Sequence, residues 1–167
     1  MIEAAKALAR RAHAGQKRKW SEDDYFEHPR RVAERVSLLY GSYEVMVAAA
    51  YLHDVLEETT VTEKEILDAT NLEVLELVIE LTNRKYQGGL SRQTRKLLDA
   101  ARLSRTSPLA KIIKIIDRID NLDDMMIRAP RDFKDLYHIE SLHLAYTALR
   151  DADDELLDEL IKKARTP

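Results

Sequence analysis

The sequence predicts an all-α fold in a single domain, and three observations carry that expectation. Apolar residues recur at three- and four-residue spacing along nearly the whole chain, which is the spacing of one helix face. Glycine and proline number only 4 each among 167 residues, which suits long helices rather than turn-rich sheets. No internal repeat, low-complexity segment or linker-like stretch divides the sequence, and a chain of this length can bury one substantial core.

The elements follow in order. Ile2, Ala5, Leu8, Ala9 and Ala12 form a first apolar stripe, ended by Gly15. A polar loop (QKRKWSEDD) comes next. Pro29 suits the first position of a second helix carrying Val32, Val36 and Leu39. Gly41-Ser42 separates it from a third, expected over roughly 43–57. Thr62 and Glu65 fit a capping box for a short fourth helix, and 72–82 reads as a fifth. Gly88-Gly89 and the loss of periodicity make 83–91 a loop, after which a helix is expected over 92–103. Ser107-Pro108 starts a long helix to about 127, and two more fill 131–150 and 152–164.

Composition narrows the function. A net charge of −3 argues against a general nucleic-acid binder, though not against a small anionic ligand bound by a local cluster. With no cysteine, disulfides, thiol catalysis and sulfur-rich zinc sites are excluded, so any metal must sit on nitrogen and oxygen ligands. No stretch approaches 18 uncharged apolar residues, and the N-terminal stripe lacks a signal peptide's apolar core. A cytoplasmic location without membrane contact is the expectation; the oligomeric state is left open.

Three places hold groups that a fold does not need. His53-Asp54 lies inside AAAYLHDVLEETT; in a continuous helix His53 would stand above Glu57, and Asp54 above Glu58. Those acids sit in the last turn, where the helix dipole disfavours negative charge. Either a cation is nearby, or this is a solvated helix end with a core histidine. Asp117 stands at the edge of the apolar face of KIIKIIDRIDNL, so burial requires a partner: a metal, or a structural salt bridge such as one to Arg118. Asn121 is one turn further on. His28 precedes Pro29 at a helix start, where a lone histidine is usually just a cap neighbour. His13, His138 and His143 read as structural, and Asp120, Asp123 and Asp124 as a solvated face. Arg92, Arg95 and Lys96 read first as a solvated charge run, with a contribution to an anion site as the alternative.

Four motifs in order resemble the HD superfamily, and more specifically the hydrolase domain of the RelA/SpoT alarmone enzymes. AHAGQKRK (12–19) is similar to the family's opening basic motif and YFEHPRRVA (25–33) to its histidine-proline motif. AYLHDVLEETT (50–60) is similar to the HD motif with its acidic pair, and SPLAKIIKIIDRIDNL (107–122) to the helix bearing the last metal-binding aspartate. The length resembles the small alarmone hydrolases. The resemblance implies a compact helical HD-domain fold over 1–167. It also implies a divalent metal, preferably Mn²⁺, and removal of the 3′-pyrophosphate of guanosine tetra- or pentaphosphate.

Matched position by position, His28, His53, Asp54 and Asp117 would hold the metal, and Glu57 and Glu58 would orient the attacking water. Lys17, Arg18 and Lys19 would attract the nucleotide, and Asn121 would contact its ribose. Two departures stand out. The family's acidic pair is usually Glu then Asp, whereas here it is Glu57 then Glu58, and the extra methylene shifts the carboxylate by about an ångström. After residue 130 the match fades, so the aromatic residue that packs near the substrate in relatives has no counterpart by motif. Another nucleotide as substrate, or alarmone binding without turnover, are the alternative readings of the same residues.

Overall fold

The computed structural model describes residues 1–86 and 88–166. Gln87, inside the expected 83–91 loop, and Pro167 lie outside the described residues. Among these described residues ten helices form: α1 (Ile2–Ala12), α2 (Glu27–Tyr40), α3 (Glu44–Leu52), α4 (Val55–Glu58), α5 (Glu63–Ala69), α6 (Leu72–Leu81), α7 (Arg92–Leu103), α8 (Pro108–Arg128), α9 (Arg131–Thr147) and α10 (Asp154–Arg165). Among the described residues there is no strand beyond an isolated bridge between Lys17 and Asp24. Nor is any helix long and apolar enough to cross a membrane.

Side-chain caps fix many of the starts. Thr62 and Glu65 form the expected reciprocal capping box at α5. Asn71, Ser91, Ser107 and Asp153 each accept a backbone N–H in the first turn of α6, α7, α8 and α10. Pro108 occupies the first turn of α8, where its missing N–H has no partner to lose.

α8 is the axis of the molecule. Its Ile113, Ile115, Ile116, Ile119 and Leu122 are all buried, and α2, α3, α6, α9 and α10 pack around it. α2 and α3 pack on each other, with Val32, Ala33 and Val36 against the alanine-rich face of α3. Small alanines let these backbones approach closely, so side chains from α2, from the end of α3 and from α8 can meet at one point.

Two expectations need correction. The helix expected over 43–57 is broken: α3 ends at Leu52, His53 and Asp54 form a turn, and α4 starts afresh at Val55. Neighbours in a continuous helix point about 100° apart, so an unbroken helix could not aim both side chains at one centre. The turn does so, bringing His53 Nε2 and Asp54 Oδ2 to 3.3 Å. The second helix begins at Glu27, two residues before Pro29, which places His28 in its first turn with its ring facing inward. Lesser differences lie at the C-terminus, where α9 stops at Thr147 and α10 starts at Asp154.

Candidate metal centre and adjoining cavity

Four side chains from three parts of the chain converge. His28 Nε2 and His53 Nε2 face each other at 3.2 Å. Asp117 Oδ1 lies 3.1 Å from the first and 3.7 Å from the second, and Asp54 Oδ2 lies 3.6 and 3.3 Å from them. One donor atom each from His28, His53 and Asp117 falls within 4.8 Å of the others, and these residues are 1, 2 and 3% exposed.

The hydrogen bonds at the far sides of the rings explain why this cluster needs a positive charge. His53 Nδ1 is 2.7 Å from the Ala50 carbonyl, which can only accept, so Nδ1 carries the proton and neutral Nε2 is a lone pair. His28 Nδ1 is 2.7 Å from Asp120 Oδ2, with the same consequence. Two lone pairs and two carboxylates thus point at one small volume. Burial opposes charge on His53, yet the carboxylates of Asp54 and Asp117 push its pKa up to about 10. Against the same burial, the charge of His53 lowers Asp54, and Lys114 with the two histidines lowers Asp117. A divalent cation with imidazole and carboxylate ligands meets this demand without protonating the rings. The donor set therefore fits such an ion.

A supporting layer holds the four residues in place. Asp120 accepts from His28 and from both arms of Arg31, at 2.7 and 2.9 Å. Against its own burial these bonds hold the Asp120 carboxyl below the usual carboxylate range. Tyr25 donates its hydroxyl to Asp54 Oδ2 at 2.8 Å, and its ring stacks on His13. Lys114 Nζ pairs with the outer oxygen of Asp117 at 2.7 Å. Asn121 donates to Asp117 Oδ1 at 2.6 Å, while its own oxygen accepts from Arg18 at 2.6 Å. Arg18 is further fixed by Asp124 at 3.0 Å.

Several expectations change here. Asp120 and Asp124 are not a solvated face, because they are the anionic partners of His28, Arg31 and Arg18. Asp123 does lie at the surface, paired with Lys163. Asp117 does not pair with Arg118, which turns away to Ser141 at 2.8 Å and to the Tyr137 ring at 3.7 Å. Its cation is Lys114, three residues earlier on the same helix face.

Of the 17–19 run, Arg18 reaches the centre through Asn121, whereas Lys17 is exposed and paired with Asp24 at 2.6 Å. Lys19 sits over the rings of Trp20 and Phe133, at 4.6 and 5.0 Å. Glu57 accepts three hydrogen bonds from Asn83. Glu58 is exposed; its backbone carbonyl accepts from the Gln16 amide at 2.9 Å, while its carboxylate has no hydrogen-bond or ion-pair partner among the described residues, and partial desolvation, then Asp54 and Glu57, raise its pKa.

Beside the centre lies a cavity of about 660 Å³ between α7, α8 and α9. Lys114 lines it, so its wall is one side chain from Asp117. Arg92, Lys96, Arg102 and Arg118 line it too, against Asp99 and Glu140. The expectation of a wholly solvated 92–96 run therefore holds for exposed Arg95 but not for half-buried Lys96. Burial lowers the Lys96 pKa, and the charges of Arg118 and Lys114 lower it further. His143, expected to be structural, is half-buried and lines this cavity, whereas His138 donates from Nδ1 to the Ala164 carbonyl at 3.0 Å inside the core. Phe133 and Tyr137 stack at 6.1 Å, and Trp20 lies 5.3 Å from Phe133. These rings of α9 and the basic loop occupy the region where motif matching fails.

Comparison with known proteins follows the same lines. A family model described as an HD domain matches residues 5–143. The guanosine-3′,5′-bis(diphosphate) 3′-pyrophosphohydrolase of Haemophilus influenzae is 41% identical over 71 residues, covering 42% of this chain and 10% of that protein. The Aquifex aeolicus protein of the same name is 36% identical over 100 residues, covering 58% and 14%. This chain therefore spans only about a tenth to a seventh of the length of these curated relatives. A solved metazoan orthologue of SpoT, described as hydrolysing ppGpp and acting in starvation responses, superposes with a TM-score of 0.86 at 28% identity. That alignment covers 98% of this chain and 95% of the other. A Listeria monocytogenes EGD-e structure shares the fold, with a TM-score of 0.64 at 24% identity over 89% of this chain and 97% of that one.

Proposed function

The chain belongs to the HD-domain family, and from that membership we propose that it is a metal-dependent pyrophosphohydrolase of guanosine tetra- and pentaphosphate. The observation that carries the reading is the convergence of His28, His53, Asp54 and Asp117 beside a cavity walled by cations. The near-complete alignment with a ppGpp-hydrolysing orthologue supports the substrate class. Residues 1–167 act as one domain in this account.

Those four residues would hold a divalent ion, with Mn²⁺ the preferred metal. When bound, such an ion lowers the pKa of a water molecule and offsets phosphate charge. Glu58, exposed and with its pKa raised, or Glu57 beside it, takes a proton from the attacking water. The water oxygen forms a bond to the phosphorus nearest the ribose, the bond from that phosphorus to the 3′-oxygen breaks, and the 3′-oxygen is protonated. GDP or GTP and pyrophosphate leave. Lys96, Lys114, Arg92 and Arg118 surround the anionic substrate, and Arg18 with Asn121 approaches the ribose side.

The test is a nucleotide panel with Mn²⁺, scored for phosphate against pyrophosphate. Equimolar pyrophosphate and GDP from guanosine tetraphosphate is the expected result. Phosphate released from ordinary nucleoside monophosphates instead would assign another substrate. Tight nucleotide binding with no product, with and without metal, would make the chain a binding module.

A further inference from the structure

The carboxylate of Glu57 has one set of partners among the described residues, and all of them belong to Asn83. The Asn83 backbone N–H donates to Glu57 Oε2 at 3.1 Å, and its side-chain amide donates to both carboxylate oxygens, at 3.1 and 3.2 Å. The two residues are 26 apart in sequence and sit on different segments. Glu57 is near the end of the short α4, four residues long, which cannot by itself hold a side chain rigidly. Asn83 follows the last turn of α6, whose end is fixed by the Thr82 hydroxyl bonding to the Val78 carbonyl at 2.8 Å. A residue directly after the capped end of α6 thus grips a carboxylate borne by a much shorter helix. Asn83 also lines the basic cavity, as do Ser91 and Arg92 at the far end of the same loop.

We propose that Asn83 is a positioning residue for the reaction, fixing the orientation of the Glu57 carboxylate at the edge of the substrate cavity. This rests on the reading of the site given above. An amide suits the task because it supplies N–H donors to both carboxylate oxygens and adds no charge. An aspartate at the same place would set a second carboxylate about 3 Å from the first, and like charges at that distance repel. Since a displacement of about an ångström costs up to roughly 100-fold in rate, loosening Glu57 should be felt in turnover more than in binding.

The experiment uses the full chain with Mn²⁺ and guanosine tetraphosphate. Asn83→Ala should lower kcat by about 10- to 100-fold while KM changes less than about threefold, and Asn83→Asp should lose at least as much. In a Glu57→Gln background, where the carboxylate is already absent, adding Asn83→Ala should cost little more. Equal fold-losses in both backgrounds, or a loss confined to KM, would overturn the proposal. A second readout needs no turnover: the Asn83 backbone amide resonance should move when Glu57 becomes Gln. An unmoved resonance overturns the tether itself, whereas an inactive wild-type chain with a moved resonance counts against the substrate reading alone.

Discussion

Removing Asp120 is the sharpest perturbation of the layer behind the proposed metal ligands. Its carboxylate accepts the Nδ1 proton of His28 at 2.7 Å and both donors of Arg31, and His28 itself is only 1% exposed. Asp120→Ala leaves a buried N–H without an acceptor and frees the ring to rotate or to switch tautomer, moving the lone pair from Nε2. Second-layer carboxylates of this kind are worth about 10- to 100-fold in metal affinity, which is about 1.4 to 2.7 kcal/mol. Calorimetric titration of the metal-free chain with Mn²⁺ measures it directly, and circular dichroism checks that the helices persist. Arg31→Ala, which leaves the His28–Asp120 bond intact, should cost less. Affinity within twofold of wild type in Asp120→Ala would refute the reasoning, because His28 would then need no such orientation or would not be a ligand.

Other consequences are as direct. Glu58→Asp should retain or raise kcat if the extra methylene misplaces the carboxylate, and a fall of more than about tenfold would show that Glu58 is correctly placed as it stands. Lys96→Ala should raise KM about tenfold with a smaller change in kcat, since its ammonium is held among Arg118 and Lys114 to meet an anion; an unchanged KM would remove Lys96 from the binding site. Buried His13 has its pKa lowered from 6.5 chiefly by desolvation, so the folded chain binds fewer protons there than the unfolded chain. Its contribution is present above pH 6.5 and shrinks as pH falls through 6.5 toward the lowered value. The Tm of His13→Gln should therefore decline less steeply below pH 6.5 than that of the wild type, and parallel declines would show that His13 is not the cause.

Local pattern was enough for the elements because helices are local. The Thr62–Glu65 capping box marks the start of α5, and Ser107-Pro108 and the apolar stripes bound α1, α6, α7 and α8 to within about two residues. It failed where a tertiary demand overrides propensity. An unbroken helix satisfies the apolar residues of 43–57, and only the need to aim His53 and Asp54 at one point explains the break. Asp120 was illegible for a related reason. Its partner His28 is 92 residues away, and in the sequence it looks like one more acid on a charged face. Lys114 was within reach, three residues before Asp117 on a shared face, but the adjacent Arg118 was the more obvious partner. The basic cavity depends on how α7 lies against α8 and α9, which no single stretch encodes.

The central claim is that four converging side chains make a metal-dependent pyrophosphohydrolase. Its most direct measurement sets the wild-type chain beside Asp117→Ala, each with Mn²⁺ and guanosine tetraphosphate, and follows GDP and pyrophosphate together. Stoichiometric release of both products by the wild type and none by the variant is expected, with matching helical circular dichroism. Full activity in Asp117→Ala, or a wild type that leaves the nucleotide intact over hours, would contradict it.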